Sequence, residues 1–380
     1  MNQTVFQADQ IEDLKNEIQR FEPKDIFVVR ANKSFHFSGA EKFLNKLICC
    51  DNYTSFYSFD PNPQVKDLEK GLELYKKNHY KLIIAIGGGS VIDMAKLISL
   101  FAHQNAFFKK LILAKSNFVE KKTPLIAIPT TAGTGAEATH FAVLYMNGIK
   151  YSVAHPLILP DYTFLSPEFL VSVSPYLTAC SGIDAFSQAI ESFWSINSTH
   201  ESREFSKKAI RIIWENLYSA VNEKNNESRS KLLEASFLSG RAINISKTTG
   251  PHALSYGFTI NYGLPHGHAV ALFLPIFMQL TININSYNCN DIRGVRWIKG
   301  IIGELAELLE TNVEKLPVRI FDFIISIGLI IDFKKLNISK PMFDKAISGF
   351  NEERLKNNPI KINSDFIENI FFSEFNRSKD

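Results

Sequence analysis

The sequence predicts a two-part chain, with an α/β half over residues 1–165 followed by an all-helical half over residues 166–380. Three observations carry this. Continuous apolar runs alternate with amphipathic stretches in the first part, the pattern of a parallel sheet covered by helices on both faces. From about Ser166 onward, apolar residues recur at three- and four-residue spacing, with few strand candidates. A length of 380 residues also suits two domains better than one core.

Taken in order, DIFVVR reads as a buried strand and SGAEKFLNKLI as the helix after it. TSFYSF is a second strand. QVKDLEKGLELYKKNH then forms an amphipathic helix with Val65, Leu68, Leu72 and Tyr75 on its apolar stripe. KLIIAI is a third strand, running through GGGS into the helix VIDMAKLISLFA, and PLIAIP is a fourth. Short strands follow at FAVLY and IKYSV. The helical half opens with SPEFLVSVSPYLTACSGIDAFSQAIESFW and continues through REFSKKAIRIIWENLYSAV, SRSKLLEASFLSGRAI and IKGIIGELAELLE.

Composition narrows the function classes. Hydrophobic residues make up 45% and charged residues 21%, as in an ordinary folded protein. The net charge of +3 comes from 42 basic and 39 acidic residues without a long basic run, which gives no case for a nucleic-acid partner. Four cysteines, two of them the adjacent Cys49 and Cys50 and none in a CxxC, read as free thiols. The opening residues lack a basic stretch followed by an apolar core, so no signal peptide is expected. The longest apolar run, near AVALFLPIFM, is short and broken by Pro275, so no membrane span is expected. A reducing cytoplasm fits best.

Two loops and one helix carry chemistry. IAIGGGSVIDMAK places Gly87, Gly88, Gly89 and Ser90 between a buried strand and a helix. Glycine allows close backbone approach, and the free N–H groups of a helix start favour an anion such as a pyrophosphate. The motif is neither GxGxxG nor GxxxxGK[ST], and a plain strand–helix turn could also use it. IPTTAGTGAEAT follows the next strand, so Thr130, Thr131 and Thr134 bring hydroxyls to the carboxyl edge of the sheet, where such sheets bind ligands. In GIDAFSQAIES, Asp184 and Gln188 stand one helical turn apart on one face, and Glu191 continues the stripe. His252 in GPHALSY and His266 in LPHGHA each sit beside a proline where a helix could begin. One carboxylate, two imidazoles and an amide oxygen suit Fe(II) or Zn(II), although either histidine could simply be a hydrogen-bonded core residue.

In their order and spacing, GGGSVIDMAK, PTTAGTGAEAT, GIDAFSQAIES and PHGHA resemble the iron-containing (group III) alcohol dehydrogenases. The resemblance covers about residues 20–300. It implies the architecture shared with dehydroquinate synthase: an N-terminal dinucleotide-binding domain, a helical metal-binding domain and a cleft between them. It further implies that GGGS, with Asp93 in the helix behind it, and the threonine loop hold NADH or NADPH. The family's Asp-His-His-His metal ligands fall on Asp184, Gln188, His252 and His266, so Gln188 is a departure. A neutral amide oxygen is a poorer donor to Fe(II) or Zn(II) than an imidazole. Gln188 is therefore either a fourth ligand or a partner for a bound water. Tyr256 stands where many members carry another histidine, and either relays a proton or lines the pocket. His268 is a second relay candidate. Members are commonly dimers or larger, so a homo-oligomer is expected.

Within the family, RAINISKTTGPHALSYGFTINYGLPHGHAVAL most resembles the phosphonoacetaldehyde reductase branch. Lys247, with Ser246, Thr248 and Thr249 beside it, would suit a phosphonate group, or is a solvated lysine at a helix end, and Arg241 is a weaker alternative. The expected reaction is NAD(P)H-linked reduction of phosphonoacetaldehyde to 2-hydroxyethylphosphonate. Arg30, Asn32 and Lys33 after the first strand, with no acid among them, favour NADPH or dual use, and Asp60 complicates that reading. Three other readings remain: a dehydrogenase for simple alcohols or diols, a dehydroquinate synthase-like lyase or cyclase, and a non-catalytic relative that lost its metal.

Overall fold

A computed structural model describes residues 3–21, 25–48, 53–104, 123–146, 149–348 and 352–362, so Cys49, Cys50 and the polar end NRSKD lie outside the described residues. The chain divides into two compact units, Met1–Val173 and Ser174–Asp380.

In the first unit the strands are β1 (Thr4–Gln7), β2 (Ile26–Arg30), β3 (Tyr53–Phe56), β4 (Leu82–Gly87), β5 (Leu125–Pro129), β6 (Phe141–Met146), β7 (Ile149–Ala154) and β8 (Tyr162–Leu165). Six of them form one parallel sheet in the order β1-β8-β5-β4-β2-β3, while β6 and β7 pair antiparallel as a separate hairpin. The helices are α1 (Ile11–Arg20), α2 (Lys33–Phe37), α3 (Ala40–Leu47), α4 (Val65–Tyr75) and α5 (Gly89–Phe101). Because successive strand residues face opposite ways, the continuous apolar runs feed two cores. Phe27, Ile83 and Leu125 join Leu68 and Leu72 of α4 and Ile98 of α5 on one face. Val28, Ile84 and Ile126 join Leu14 of α1 and Leu44 of α3 on the other.

Strands β1 and β8 escape sequence reading. Each has four residues, and β1 exposes both of its ends, so neither shows the long apolar run that marks the centre of the sheet.

One buried cation organises the carboxyl edge of this sheet. Lys96, fully buried on α5, donates to Ala136 O, to Thr139 Oγ1 at 2.9 Å and to Phe141 O at 3.0 Å. Asp93 lies 3.9 Å away and itself accepts from Val143 N at 3.0 Å. Burial pulls the Lys96 pKa down to about 8, with Asp93 and Glu137 pulling the other way. Burial also pushes Glu137 up to about 7. The lysine thus fastens α5 to the end of the threonine loop.

In the second unit the helices are α6 (Pro175–Trp194), α7 (His200–Asn222), α8 (Asn226–Ser246), α9 (Gly250–Tyr262), α10 (His266–Ala271), α11 (Leu274–Ile282), α12 (Val295–Leu308), α13 (Leu316–Ser326), α14 (Lys340–Ile347) and α15 (Glu352–Leu355). Helix α6 is the spine. Ser174 caps it by accepting from Leu177 N, Pro175 occupies its first turn, and it is buried from Ile183 to Trp194 against α7, α8 and α10. Among the described residues no helix is long and apolar enough to cross a membrane.

Lys96→Met should remove the cation shared by Ala136 O, Thr139 Oγ1 and Phe141 O and leave Asp93 without its buried counter-charge. The expected cost is about 3 kcal/mol or more, read as a lower denaturation midpoint of the first unit with the helical unit unchanged.

Candidate metal centre

Helix α6 supplies the acid. Asp184, Gln188 and Glu191 are buried on it, at spacings that keep them on one face. The histidines arrive at helix starts, because proline fixes the chain for a first turn. Pro251 lies in the first turn of α9, placing His252 there, and Pro265 precedes His266 at the start of α10. Gly267 makes the last approach possible, since a Cβ there would come 1.8 Å from Cys180 O and 2.9 Å from Asp184 Cβ. Only glycine lets α10 lie this close to α6.

The result is a cluster of three side chains. One ligating atom from each of Asp184, His252 and His266 falls within 4.8 Å of the others. Asp184 Oδ1 is 3.2 Å from His252 Nε2 and 3.9 Å from His266 Nε2. Ligands each about 2.1 Å from a common ion stand roughly 3–3.5 Å apart, so the donor set fits a divalent cation of the Fe(II) or Zn(II) type with little adjustment.

Behind the cluster lies Glu191, wholly buried. Its Oε1 accepts from His252 Nδ1, and its Oε2 accepts from Thr249 N at 2.6 Å and Thr249 Oγ1 at 3.0 Å. Burial alone would lower the His252 pKa. The Glu191 and Asp184 carboxylates outweigh it and push the ring up to about 9. For Asp184 burial works upward, but His266 and His252 outweigh it and hold the carboxyl below its ordinary value. The sequence placed Glu191 on the polar stripe without assigning it a role. Its seven-residue spacing from Asp184 was a visible signal, whereas the histidine it orients is 61 residues further on.

The amide of Gln188 is oriented by two neighbours. Its side chain hydrogen-bonds Asp184, and its Oε1 lies 3.2 Å from Ser239 Oγ, whose hydroxyl also donates to Ala185 O at 2.9 Å.

Tyr256 borders the cluster, its ring stacked on His266 at 5.5 Å and 10°. Burial raises its pKa, opposed by Arg354 and by a hydrogen bond from Thr248. The two other anticipated residues are placed elsewhere. His268 donates from Nε2 to Ile330 O at 2.6 Å and accepts at Nδ1 from the Tyr176 hydroxyl at 2.9 Å, so both ring nitrogens are occupied away from the cluster. Lys247 caps α8 with a positive φ of 61° and an extended ψ of 173°, and is exposed. That bend turns Thr248 and Thr249 inward instead, to 2% and 0% exposure. The cation that meets Thr248 is Arg354, whose Nη1 donates to Thr248 Oγ1 at 2.6 Å. Sequence reading missed it, because nothing near residue 354 marks it and its partner lies 106 residues earlier.

In the first unit, Gly87 pairs in register with Pro129, so the glycine and threonine loops leave adjacent strands side by side. Gly88 caps α5, and a Cβ at Gly89 would come 2.6 Å from Thr134 Oγ1. A Cβ at Gly88 would come 3.3 Å from Thr131 Oγ1. Thr130 N donates to Gly87 O at 3.0 Å, and Ser90 Oγ accepts from Asn62 N at 3.1 Å. The open helix start these residues frame suits a pyrophosphate. Asp93 faces the β6 backbone and Lys96 from the helix behind. Arg30 is enclosed by the rings of Phe35 and Tyr57, 4.6 and 3.9 Å from their centroids, and donates to Ser55 Oγ at 2.7 Å.

Comparison with known proteins agrees with this layout. The family model described as iron-containing alcohol dehydrogenase matches residues 2–167, and that described as Fe-containing alcohol dehydrogenase family, C-terminal, matches residues 178–375. Long-chain-alcohol dehydrogenase 1 of Geobacillus thermodenitrificans is 36% identical over 221 residues, 57% of this chain and 56% of that protein. Phosphonoacetaldehyde reductase of Streptomyces viridochromogenes is 33% identical over 255 residues, 65% of each chain. The matches thus span less than two thirds of these two relatives. Sulfoacetaldehyde reductase from Bifidobacterium kashiwanohense, solved in complex with NAD+, superposes with a TM-score of 0.88 at 29% identity, covering 100% of this chain and 98% of that one.

The His252 pKa gives a pH test. A group raised from 6.5 to about 9 on folding contributes stability that is complete below 6.5 and lost as pH rises through 9. In chelator, Glu191→Gln should therefore lower the melting temperature of the helical unit, and the gap to wild type should close between pH 6.5 and 9.5. A gap independent of pH would contradict the pairing.

Proposed function

The chain belongs to the iron-containing alcohol dehydrogenase family, and from that premise we propose that it reduces an aldehyde to a primary alcohol with NADH or NADPH, phosphonoacetaldehyde being the substrate. The observation that supports this reading best is the convergence of buried Asp184 and His252 with the partly exposed His266, with Glu191 fixing His252 from behind. Asp184, His252 and His266 would hold a divalent ion there, which would supply Lewis-acid polarisation of a carbonyl oxygen, and a bound nicotinamide would supply the hydride.

The chain's own residues do the rest. Glu191 holds the His252 ring by Nδ1, which leaves Nε2 aimed at the Asp184 side of the cluster. Gln188 keeps Asp184 turned inward. Tyr256 stacks on His266 and carries a hydroxyl that Thr248 hydrogen-bonds, which supports a role for it as the group that would give the product oxygen its proton. Gly88, Gly89 and Ser90 at the start of α5, with Thr130, Thr131 and Thr134 packed against them, offer backbone N–H groups and hydroxyls to the dinucleotide phosphates.

The substrate choice draws on two of the similar proteins, a phosphonoacetaldehyde reductase and a sulfoacetaldehyde reductase. Both names denote a two-carbon aldehyde bearing a tetrahedral oxyanion. The test is an initial-rate panel of phosphonoacetaldehyde, sulfoacetaldehyde and butanal with NADH and NADPH. Phosphonoacetaldehyde should give the highest kcat/KM, and exhaustive chelation should abolish turnover until Fe(II) or Zn(II) is restored. Glu191→Gln should weaken metal affinity by about 10–100-fold in a direct binding titration. Equal rates for butanal and phosphonoacetaldehyde would defeat the substrate assignment. Undiminished turnover after chelation would defeat the metal-assisted reading.

A further inference from the structure

An acid-bearing substrate poses an electrostatic problem at this centre. Asp184 and Glu191 are both carboxylates, 3% and 0% exposed, and between them they offset a divalent charge. A phosphonate or sulfonate entering beside them therefore needs a cation of its own, since an unpaired charge in a buried site is costly. Lys247 does not meet that need, because it points outward from the bend at the end of α8.

Arg354 is differently placed. It stands on α15, half-buried, and donates from Nη1 to the hydroxyl of Thr248, itself 2% exposed. Asn357 Nδ2 donates to Thr248 O at 3.1 Å, so the α15 segment grips this threonine from two directions. Thr248 passes a hydrogen bond on to Tyr256, whose ring lies flat against His266 of the cluster. A guanidinium, a buried threonine hydroxyl and a tyrosine hydroxyl thus form one chain of contacts, whose last member stacks on His266 of the cluster. The guanidinium fork matches two oxygens of a tetrahedral anion, which an ammonium on a flexible stem does not.

We propose that Arg354, set in place by Thr248 and Asn357, is the anchor for the substrate's tetrahedral oxyanion. This rests on the aldehyde reductase reading above and names the residue that would select a charged aldehyde over a neutral one. It makes Arg354 a specificity residue, with Thr248 and Asn357 in a positioning role.

Calorimetry on the full-length protein with ethylphosphonate and, separately, ethanesulfonate reads the anchor without turnover. Wild type should bind at least one of them, and which one it prefers distinguishes a phosphonate from a sulfonate substrate. Arg354→Met should weaken that binding at least about tenfold, and should lower the kcat/KM preference for the charged aldehyde over butanal by a similar factor. Arg354→Lys, which keeps the charge without the fork, should fall between. A wild-type protein that binds neither anion, or a variant that binds as wild type does, overturns the proposal. So does an equal loss for charged aldehyde and butanal, which would mark a structural role. If Arg354→Met fails to fold, phenylglyoxal modification of wild type decides: ethylphosphonate should slow the reaction at Arg354, and an unchanged rate overturns the anchor. Tight, Arg354-dependent anion binding without reduction of any charged aldehyde would instead defeat the substrate assignment and leave the anchor standing.

Discussion

The helical unit depends on one imidazole held between two buried carboxylates. Neither Asp184 nor Glu191 could sit in the interior of a helical core alone, because isolated buried carboxylates are strongly disfavoured. His252 answers both: Nδ1 donates to Glu191, and Nε2 faces Asp184 at 3.2 Å. The same arrangement that makes the core tolerable leaves a ligating nitrogen and a ligating oxygen facing each other. Stability and chemistry thus share one set of contacts. The other requirement is steric. His266 reaches Asp184 only because Gly267 lets α10 lie against the backbone of α6.

The first unit solves its positional problem in a related way. A buried charge, Lys96, pins the end of the threonine loop by donating to two carbonyl oxygens and a hydroxyl. Gly88 and Gly89 then set the other loop against Thr131 and Thr134 with no side chain between them. In both units a charged group that would be costly alone is fully partnered, and the partners are the segments that must not move.

Much of this was visible along the chain. The parallel sheet was legible because a strand buried on both faces has to be apolar throughout, as KLIIAI and PLIAIP are. Strands β1 and β8 were not, and in β1 the reason is that only Phe6 of its four residues is buried. Asp184, Gln188 and Glu191 were legible as one stripe, because helical spacing is a local property. His252 and His266 could be placed at helix starts from the prolines beside them. Lys247 misled. A lysine rarely adopts φ 61°, so the bend that turns it outward could not be anticipated from its neighbours. Nor were the partners of His268 legible, because Ile330 and Tyr176, which meet its ring nitrogens, are far away in sequence.

By itself, then, the sequence determined which residues could carry chemistry: a glycine loop at a strand end, an acid and an amide one turn apart, and two histidines each next to a proline. These follow from local periodicity and backbone restriction, which act over a few residues. Only the tertiary structure decided which of those residues meet, and with what partners. It set Glu191 behind His252, put Gln188 beside Ser239 and brought Arg354 to Thr248. Such contacts join positions 50 to more than 100 residues apart, and they are fixed by how whole helices pack rather than by any pattern a short window of sequence contains.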